Sequence, residues 1–183
     1  MLKKNQIYLL PIERHNLVTI HQWIRESDNF FTFSETFVTT PNFDELENWY
    51  NSLINNSRNK VFIINHIETK APLGMIEVSR IDWRNRYGYI GILIGDKNNR
   101  RKGYATDAIK IIVKLSFDQW GLNKLCALVT ENNIPSVKLF EKLHFTKEAI
   151  LRENIYLDSK YHNQFIFSLL KREYEQRIDF YSN

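Results

Sequence analysis

Residues 91–112, GILIGDKNNRRKGYATDAIKII, decide the reading of this chain. An apolar run gives way to a polar loop, the loop to a glycine, and the glycine to apolar residues at helical spacing (Ala105, Ala108, Ile109, Ile112). A helix start offers amide donors without partners and a partial positive charge, so the backbone itself stabilises an anion bound there. Gly103 lets the chain come close and take positive φ, and Ala105 keeps the first helical turn small. Arg100, Arg101 and Lys102 add charge that suits a phosphate. The loop lacks the Gly-Lys-Ser/Thr run of Walker A, and it is not GxGxxG. By itself it says only that an anion would sit well there. A basic tripeptide before a helix is also what solvated surface looks like, and Thr106-Asp107 is ordinary chemistry for a helix start.

The flanking sequence supplies the frame. VFIINHI (61–67), LGMIEVSRI (73–81) and RYGYIGILIG (86–95) read as three strands joined by short turns, an antiparallel meander. Before them, residues 7–12 predict a strand, residues 15–27 a helix carrying Leu17, Ile20, Trp23 and Ile24, and residues 44–55 a second helix. Residues 28–41, DNFFTFSETFVTTP, have no period. After Gly103 a helix is expected over 104–119, a strand over 124–130, and a helix over 135–142 with Pro135 in its first turn. RENIYL (152–157) and NQFIFSLL (163–170) flank Asp158-Ser159-Lys160 as a hairpin. The order β-α-α-β-β-β-α-β-α-β-β predicts an α/β (α+β mixed) fold. It has a mixed, mostly antiparallel sheet of about seven strands with helices on both faces, in a single domain over residues 1–183.

Composition narrows the function. Of 183 residues, 43% are hydrophobic and 25% charged, ordinary for a globular protein and against disorder. Cys126 stands alone in an apolar run, so the chain can form neither an internal disulfide nor a thiolate metal site, and no metal is expected. The start has no apolar run of signal-peptide length, and nowhere do about 18 apolar residues run together. A cytoplasmic protein without a membrane partner is expected. Net charge is +4, but the basic residues are spread widely and form no nucleic-acid-binding motif, so no nucleic acid is expected. The local cluster at residues 97–102 suits a phosphorylated co-substrate instead.

A second block lies 28 residues beyond Gly103 and directly after a strand: ENNIPSVKLFEKLHF, residues 131–145. Together the two blocks resemble the GNAT superfamily of N-acetyltransferases. Arg100, Gly103 and Ala105 match the Gln/Arg-x-x-Gly-x-Gly/Ala of its first motif, and Asn133, Ser136, Leu139, Glu141, Lys142 and Phe145 match its second. The start of the chain and the closing hairpin look like the RimJ/RimL branch, as does spermidine acetyltransferase.

The resemblance implies acetyl-CoA as co-substrate, with its pyrophosphate on the amides of Arg101, Lys102, Gly103, Tyr104, Ala105 and Thr106 and with Arg100 adding charge. It implies a V-shaped splay between the fourth and fifth strands of the expected sheet, where the backbone of Leu93 and Ile94 pairs with pantetheine and Gly91 and Gly95 mark a bulge. Asn133 would bond the pantetheine arm or order its loop, and Ser136 would face the cofactor or start the helix. The Ile94 amide is the candidate oxyanion donor, because a tetrahedral intermediate needs one. The chain departs from many relatives at Phe140, where a proton-donating Tyr is common, at Tyr89, where Glu is usual, and at His144, where Gly is. Phe140 keeps a place beside the cofactor but has no proton to give.

A primary amine is mostly ammonium at neutral pH, so a base must take its proton, often through water. Glu131 is the first candidate, followed by Glu77 and Glu35. The substrate cleft is expected between residues 28–41 and an aromatic group of Trp83, Tyr87 and Tyr89, with Phe33 and Glu35 on the loop side. The expected acceptor is a primary amine on a small molecule, an aminosugar or a polyamine. A protein N-terminus is the alternative acceptor, and a non-catalytic acyl-CoA-binding module the alternative class. A monomer or homodimer is expected.

Overall fold

The computed structural model describes residues 2–26, 37 and 39–182. The strands are β1 (Leu2–Lys4), β2 (Ile7–Pro11), β3 (Lys60–His66), β4 (Pro72–Asp82), β5 (Tyr87–Ile94), β6 (Lys124–Thr130), β7 (Thr146–Leu157) and β8 (Lys160–Leu170). The helices are α1 (Leu17–Glu26), α2 (Phe43–Ile54), α3 (Tyr104–Lys114), α4 (Ile134–Lys142), α5 (Lys171–Glu175) and α6 (Ile178–Ser182). The strand order in the sheet is β1-β2-β3-β4-β5-β6-β8-β7. The expected mixed α/β sheet is therefore present, with eight strands rather than seven. The added strand is β1, whose three residues, LKK, are too few to show a period.

The chain gathers into two compact units, Met1–Arg80 with Gly91–Ile112, and Ile81–Ile90 with Val113–Asn183. In the first, β1, β2, β3 and β4 pair antiparallel in sequence order, with Leu9 opposite Ile64 and Phe62 opposite Ile76. Val61 to Asn65 are buried residue after residue, as a strand covered on both faces must be. The apolar stripe of α1 (Leu17, Ile20, Trp23, Ile24) packs into one core with Leu46 and Tyr50 of α2, Ile63, Met75 and Leu93. Each such side chain removed from water contributes about 1.5–3 kcal/mol. Asn42 and Glu45 form a capping box that fixes where α2 begins. Two glycines make this packing possible. A Cβ on Gly74 would lie 2.1 Å from the Leu93 carbonyl oxygen, and one on Gly95 would lie 2.3 Å from the Trp23 ring.

In the second unit the parallel ladder of β5 and β6, where the family's splay is expected, is confined to three pairs, Tyr87–Lys124, Gly88–Leu125 and Tyr89–Cys126. From Gly91 onward β5 belongs to the first unit. β6 pairs antiparallel with β8 along its whole length, and β8 with β7. Asp158 (φ 50°) and Ser159 (φ 61°) turn the predicted hairpin through two positive φ angles, as a tight two-residue turn requires.

Two expectations change here, and a segment that carried none takes shape. β7 begins at Thr146, not near Arg152; it is an edge strand whose first three residues, Thr146, Lys147 and Glu148, are all exposed, so no alternation marks its start. The helix expected over 104–119 is α-helical to Lys114 and then a π turn over Leu115–Gln119. Last, the chain after β8 forms α5 and α6, which anchor through the buried Tyr174 and Tyr181. The Tyr174 ring lies tilted against Phe117 at 5.2 Å and its hydroxyl donates to Asp118 of the π turn, and Tyr181 donates to the Leu143 carbonyl at the end of α4.

Candidate active site

The basic turn lies in the first unit. β5 ends at Ile94, and the Gly95 N–H donates to the Leu73 carbonyl at 3.0 Å, which fixes where the strand stops. Asp96 then accepts from the Asn98 N–H and starts a short 3-10 turn, Lys97–Asn99. Arg101 (φ 63°) and Gly103 (φ 88°) both take positive φ on either side of Lys102. Such alternation turns successive amides toward one side and makes an anion-binding concavity. The first bond of α3's own ladder runs from the Asp107 N–H to the Gly103 carbonyl, so the amides of Gly103, Tyr104, Ala105 and Thr106 precede the ladder. Asn5 donates to both Asp107 oxygens and braces this first turn.

The side chains divide by role. Tyr104 is buried, its ring edge-on to His66, so it can offer a ligand only its backbone. Arg101, Lys102 and Gly103 are exposed, and Lys102 Nζ donates to Asn99. A Cβ on Gly103 would meet nothing within 4 Å, unlike those on Gly74 and Gly95. No neighbour demands a glycine at this position; the φ angle does. Helix N-terminus, positive-φ amides and an open, basic approach together fit a diphosphate. Leu93 buries its side chain in the core of the first unit, leaving its backbone as the only part that could reach a ligand, while Ile94 is half-buried.

The remaining candidates lie in the second unit. The Asn133 side chain accepts the Ser136 N–H at 3.3 Å and caps α4, so capping falls to Asn133 and not to Ser136, which receives the cap on its amide. Phe140 is 3% exposed, edge-on to Phe145 at 5.1 Å and stacked on Phe167 at 6.1 Å. His144, in place of the usual glycine, has φ 60°, and its ring meets Phe180 edge-on at 4.8 Å. The position therefore demands the backbone conformation that glycine adopts at a helix C-terminus, and here a histidine supplies it.

Glu131 follows β6 directly. Its Oε1 accepts the Asn163 backbone N–H at 2.9 Å, its Oε2 the Asn163 side-chain amide at 3.0 Å, and its own N–H donates to the Asn163 carbonyl. These hydrogen bonds, the backbone one first, hold its carboxyl below the usual range, and His162 Nδ1 lies 4.0 Å from Oε1. Sequence reasoning missed Asn163 and His162, which meet Glu131 only through the pairing of β6 with β8. The Cys126 thiol is buried, and burial pushes it up toward the inert protonated form.

Trp83 and Tyr89 are half-buried. Trp83 sits in the β4–β5 turn, whose amides at Arg84 and Asn85 bond the Asp82 side chain, and Tyr89 meets Tyr87 edge-on at 6.2 Å. Phe33 and Glu35 lie outside the described residues. Leu93, Ile94 and the 100–106 turn thus belong to the first unit, and Glu131, Asn133, Ser136 and Phe140 to the second. A cleft of about 480 Å³ on α1, lined by Val18, His21, Gln22, Arg25 and Glu26, contains none of these residues. Among the described residues no cluster of His, Cys, Asp or Glu could hold a metal ion, and no helix is long and apolar enough to cross a membrane.

The chain is 36% identical to an uncharacterized N-acetyltransferase, p20, of Bacillus licheniformis over 58% of its own length and 60% of that protein's. It is 27% identical to a spermidine N(1)-acetyltransferase of Vibrio cholerae over 96% of this chain and 99% of that one. The crystal structure of a spermidine N-acetyltransferase from Vibrio cholerae in complex with CoA and spermine superposes with a TM-score of 0.84 at 26% identity, covering 94% of this chain and 99% of that one. A dodecameric structure of a spermidine N-acetyltransferase from the same organism superposes at 0.82 and 26% identity, over 95% and 99% of the two chains. The sequence profile of the acetyltransferase (GNAT) domain matches residues 6–146, and the chain therefore belongs to the GNAT family of N-acetyltransferases, with acetyl-CoA as the acetyl donor.

Proposed function

We propose that this protein transfers the acetyl group of acetyl-CoA to a primary amine on a small molecule, as a RimJ/RimL-like member of its family, and that the amine is a polyamine. The observation that carries the reading is the turn before α3, where Arg101 and Gly103 take positive φ ahead of four amides that precede the helix's own ladder. On this reading the diphosphate of acetyl-CoA binds there, with Arg100, Arg101 and Lys102 supplying positive charge. The polyamine is preferred over the aminosugar, toward which the sequence leans because residues 28–41 offer only Asp28 and Glu35 as carboxylates, on the strength of full-length similarity to spermidine N-acetyltransferases.

The chemistry asks three things of the chain. A base must relieve the ammonium of a proton, and Glu131 or a group beside it is the candidate. The oxyanion of the tetrahedral intermediate needs a donor, assigned to the Ile94 amide at the end of β5. The departing thiolate takes its proton from water, because Phe140 has none to give. Trp83 and Tyr89, with Phe33 and Glu35, are the proposed contacts to the amine. Acetyl-CoA as donor and a lone buried thiol both suit the cytoplasm. The expected monomer or homodimer stands beside the dodecamer of a relative, so assembly is to be measured, by light scattering.

A second reading, a non-catalytic acyl-CoA-binding module, is favoured by the buried phenyl ring of Phe140. The experiment is release of CoA thiol against a panel of polyamines, aminosugar nucleotides and N-terminal peptides. Release with spermidine or spermine is expected. Release only with N-terminal peptides would replace the substrate class, and binding without release to any amine would favour the module.

A further inference from the structure

We propose that Asn5 is a positioning residue for the cofactor turn: it holds the Asp107 carboxylate away from the start of α3, so that the amides there stay open to the diphosphate of acetyl-CoA. This rests on the acetyltransferase reading and explains how its anion site is kept free. All the residues concerned belong to the first unit. Asp107 lies in the first turn of α3, and its N–H makes the first bond of the helix ladder, to the Gly103 carbonyl. Helical side chains lean toward the N-terminus of their helix. A carboxylate in that turn is therefore drawn to the same unpartnered amides and partial positive charge that attract a diphosphate. Left to itself, Asp107 is a rival anion built into the site.

Asn5 occupies that carboxylate. Its Nδ2 donates to both oxygens, Oδ1 and Oδ2, each at 3.0 Å, although the two residues are 102 apart in the chain. The hairpin of β1 and β2 places it: Lys4 pairs with Ile7 and leaves a two-residue turn, Asn5-Gln6. The Asn5 φ of 48° lies in the left-handed region, which asparagine enters more readily than most residues. The Gln6 carbonyl accepts the Ile67 N–H at 2.8 Å, which fastens the turn just past the end of β3. From that same end, His66 sets its ring edge-on to Tyr104, the first residue of α3, at 6.0 Å. The helix start is thus gripped at two points, Tyr104 and Asp107, and only the second removes a competitor.

A bond that merely braces the hairpin and a bond that restrains a charge have different consequences when broken. In the first case, loss of Asn5 loosens the start of α3 whatever stands at position 107. In the second, loss of Asn5 matters only while residue 107 carries a negative charge. Removing that charge then makes Asn5 dispensable for binding.

The test is calorimetric titration with acetyl-CoA of wild type, Asn5→Ala, Asp107→Asn, the double variant Asn5→Ala/Asp107→Asn, and Gly103→Glu. Melting temperatures are measured alongside to confirm folding. Asn5→Ala should weaken binding about tenfold, the scale of one charge at a partly covered helix start. Asp107→Asn should bind at least as tightly as wild type. The double variant should return to within about twofold of wild type, because no rival charge is left to restrain and the two changes are coupled. A folded Asn5→Ala variant with wild-type affinity overturns the proposal. So does a double variant as weak as Asn5→Ala, since the bond is then a brace and not a restraint on charge. If wild type binds and a folded Gly103→Glu binds equally well, the diphosphate lies elsewhere, and it is the reading beneath the proposal that fails.

Discussion

Glycines that look alike in the sequence do different things, and only the coordinates separate them. Gly74 is required by the fold: the Leu93 carbonyl oxygen sits 2.1 Å from where a Cβ would be, and the obstacle is backbone, which cannot step aside. Gly103 is required only by its own conformation, φ 88°, with nothing nearby to clash. Gly74→Ala should therefore destabilise the protein by about 3 kcal/mol, in the range of overpacked cores. Gly103→Ala should cost about 1 kcal/mol, the strain of a Cβ in the left-handed region. Urea unfolding of the two variants distinguishes them, and equal losses would undo the distinction. The first motif singled out Gly103, whereas nothing in PLGMIEV marked Gly74, because the demand on it comes from another strand. His144 teaches the same lesson in reverse. At His144, where the family resemblance implies glycine, φ is 60°, and a contact with Phe180 accompanies the histidine.

At the scale of elements, local signals found most of the structure and failed where none exists. α2 is announced by the spacing of its apolar residues and α4 by Pro135, and each begins one residue before the place the sequence gives it, at Phe43 and Ile134. Asn133→Ala should cost about 1 kcal/mol through the lost cap, read as a fall in melting temperature. The start of β7 stays hidden because its first three residues, polar and all exposed, have no alternation to read. Within it, Glu148 falls at the irregularity in the β7–β8 register, between Lys147 and Ala149. It accepts from Lys124 Nζ and from the Ser168 hydroxyl, both at 2.6 Å, and these bonds hold its carboxyl below the ordinary value of 4.5. A carboxyl whose pKa is depressed by folding contributes stability that is full above its unfolded value and lost as pH falls through the folded one. Glu148→Gln should thus be less stable than wild type at pH 7, and the gap should narrow on acidification below about pH 4.5. A gap that stays constant with pH would mean that the lost stability is not ionic. The partners of Glu131 were equally out of reach of sequence, since Asn163 lies 32 residues away and meets it through strand pairing alone.

For the whole molecule, the family was legible because two short motifs stand at a fixed separation on the element types that use them, each weak alone. The proposed cofactor half of the site, residues 100–106, would bind through backbone amides whatever the side chains do, which is why so short a pattern suffices. The proposed acceptor half would draw on aromatic and acidic side chains from several segments, and no motif records that. The claim on which the rest depends is that the turn before α3 holds the diphosphate of acetyl-CoA. The direct test is calorimetric titration of wild type and Gly103→Glu with acetyl-CoA, with circular dichroism to show that the variant is folded. Wild type should bind, and Gly103→Glu should lose more than about 100-fold in affinity, because like charges brought together cost several kcal/mol. Equal affinity in a folded Gly103→Glu variant would contradict the account.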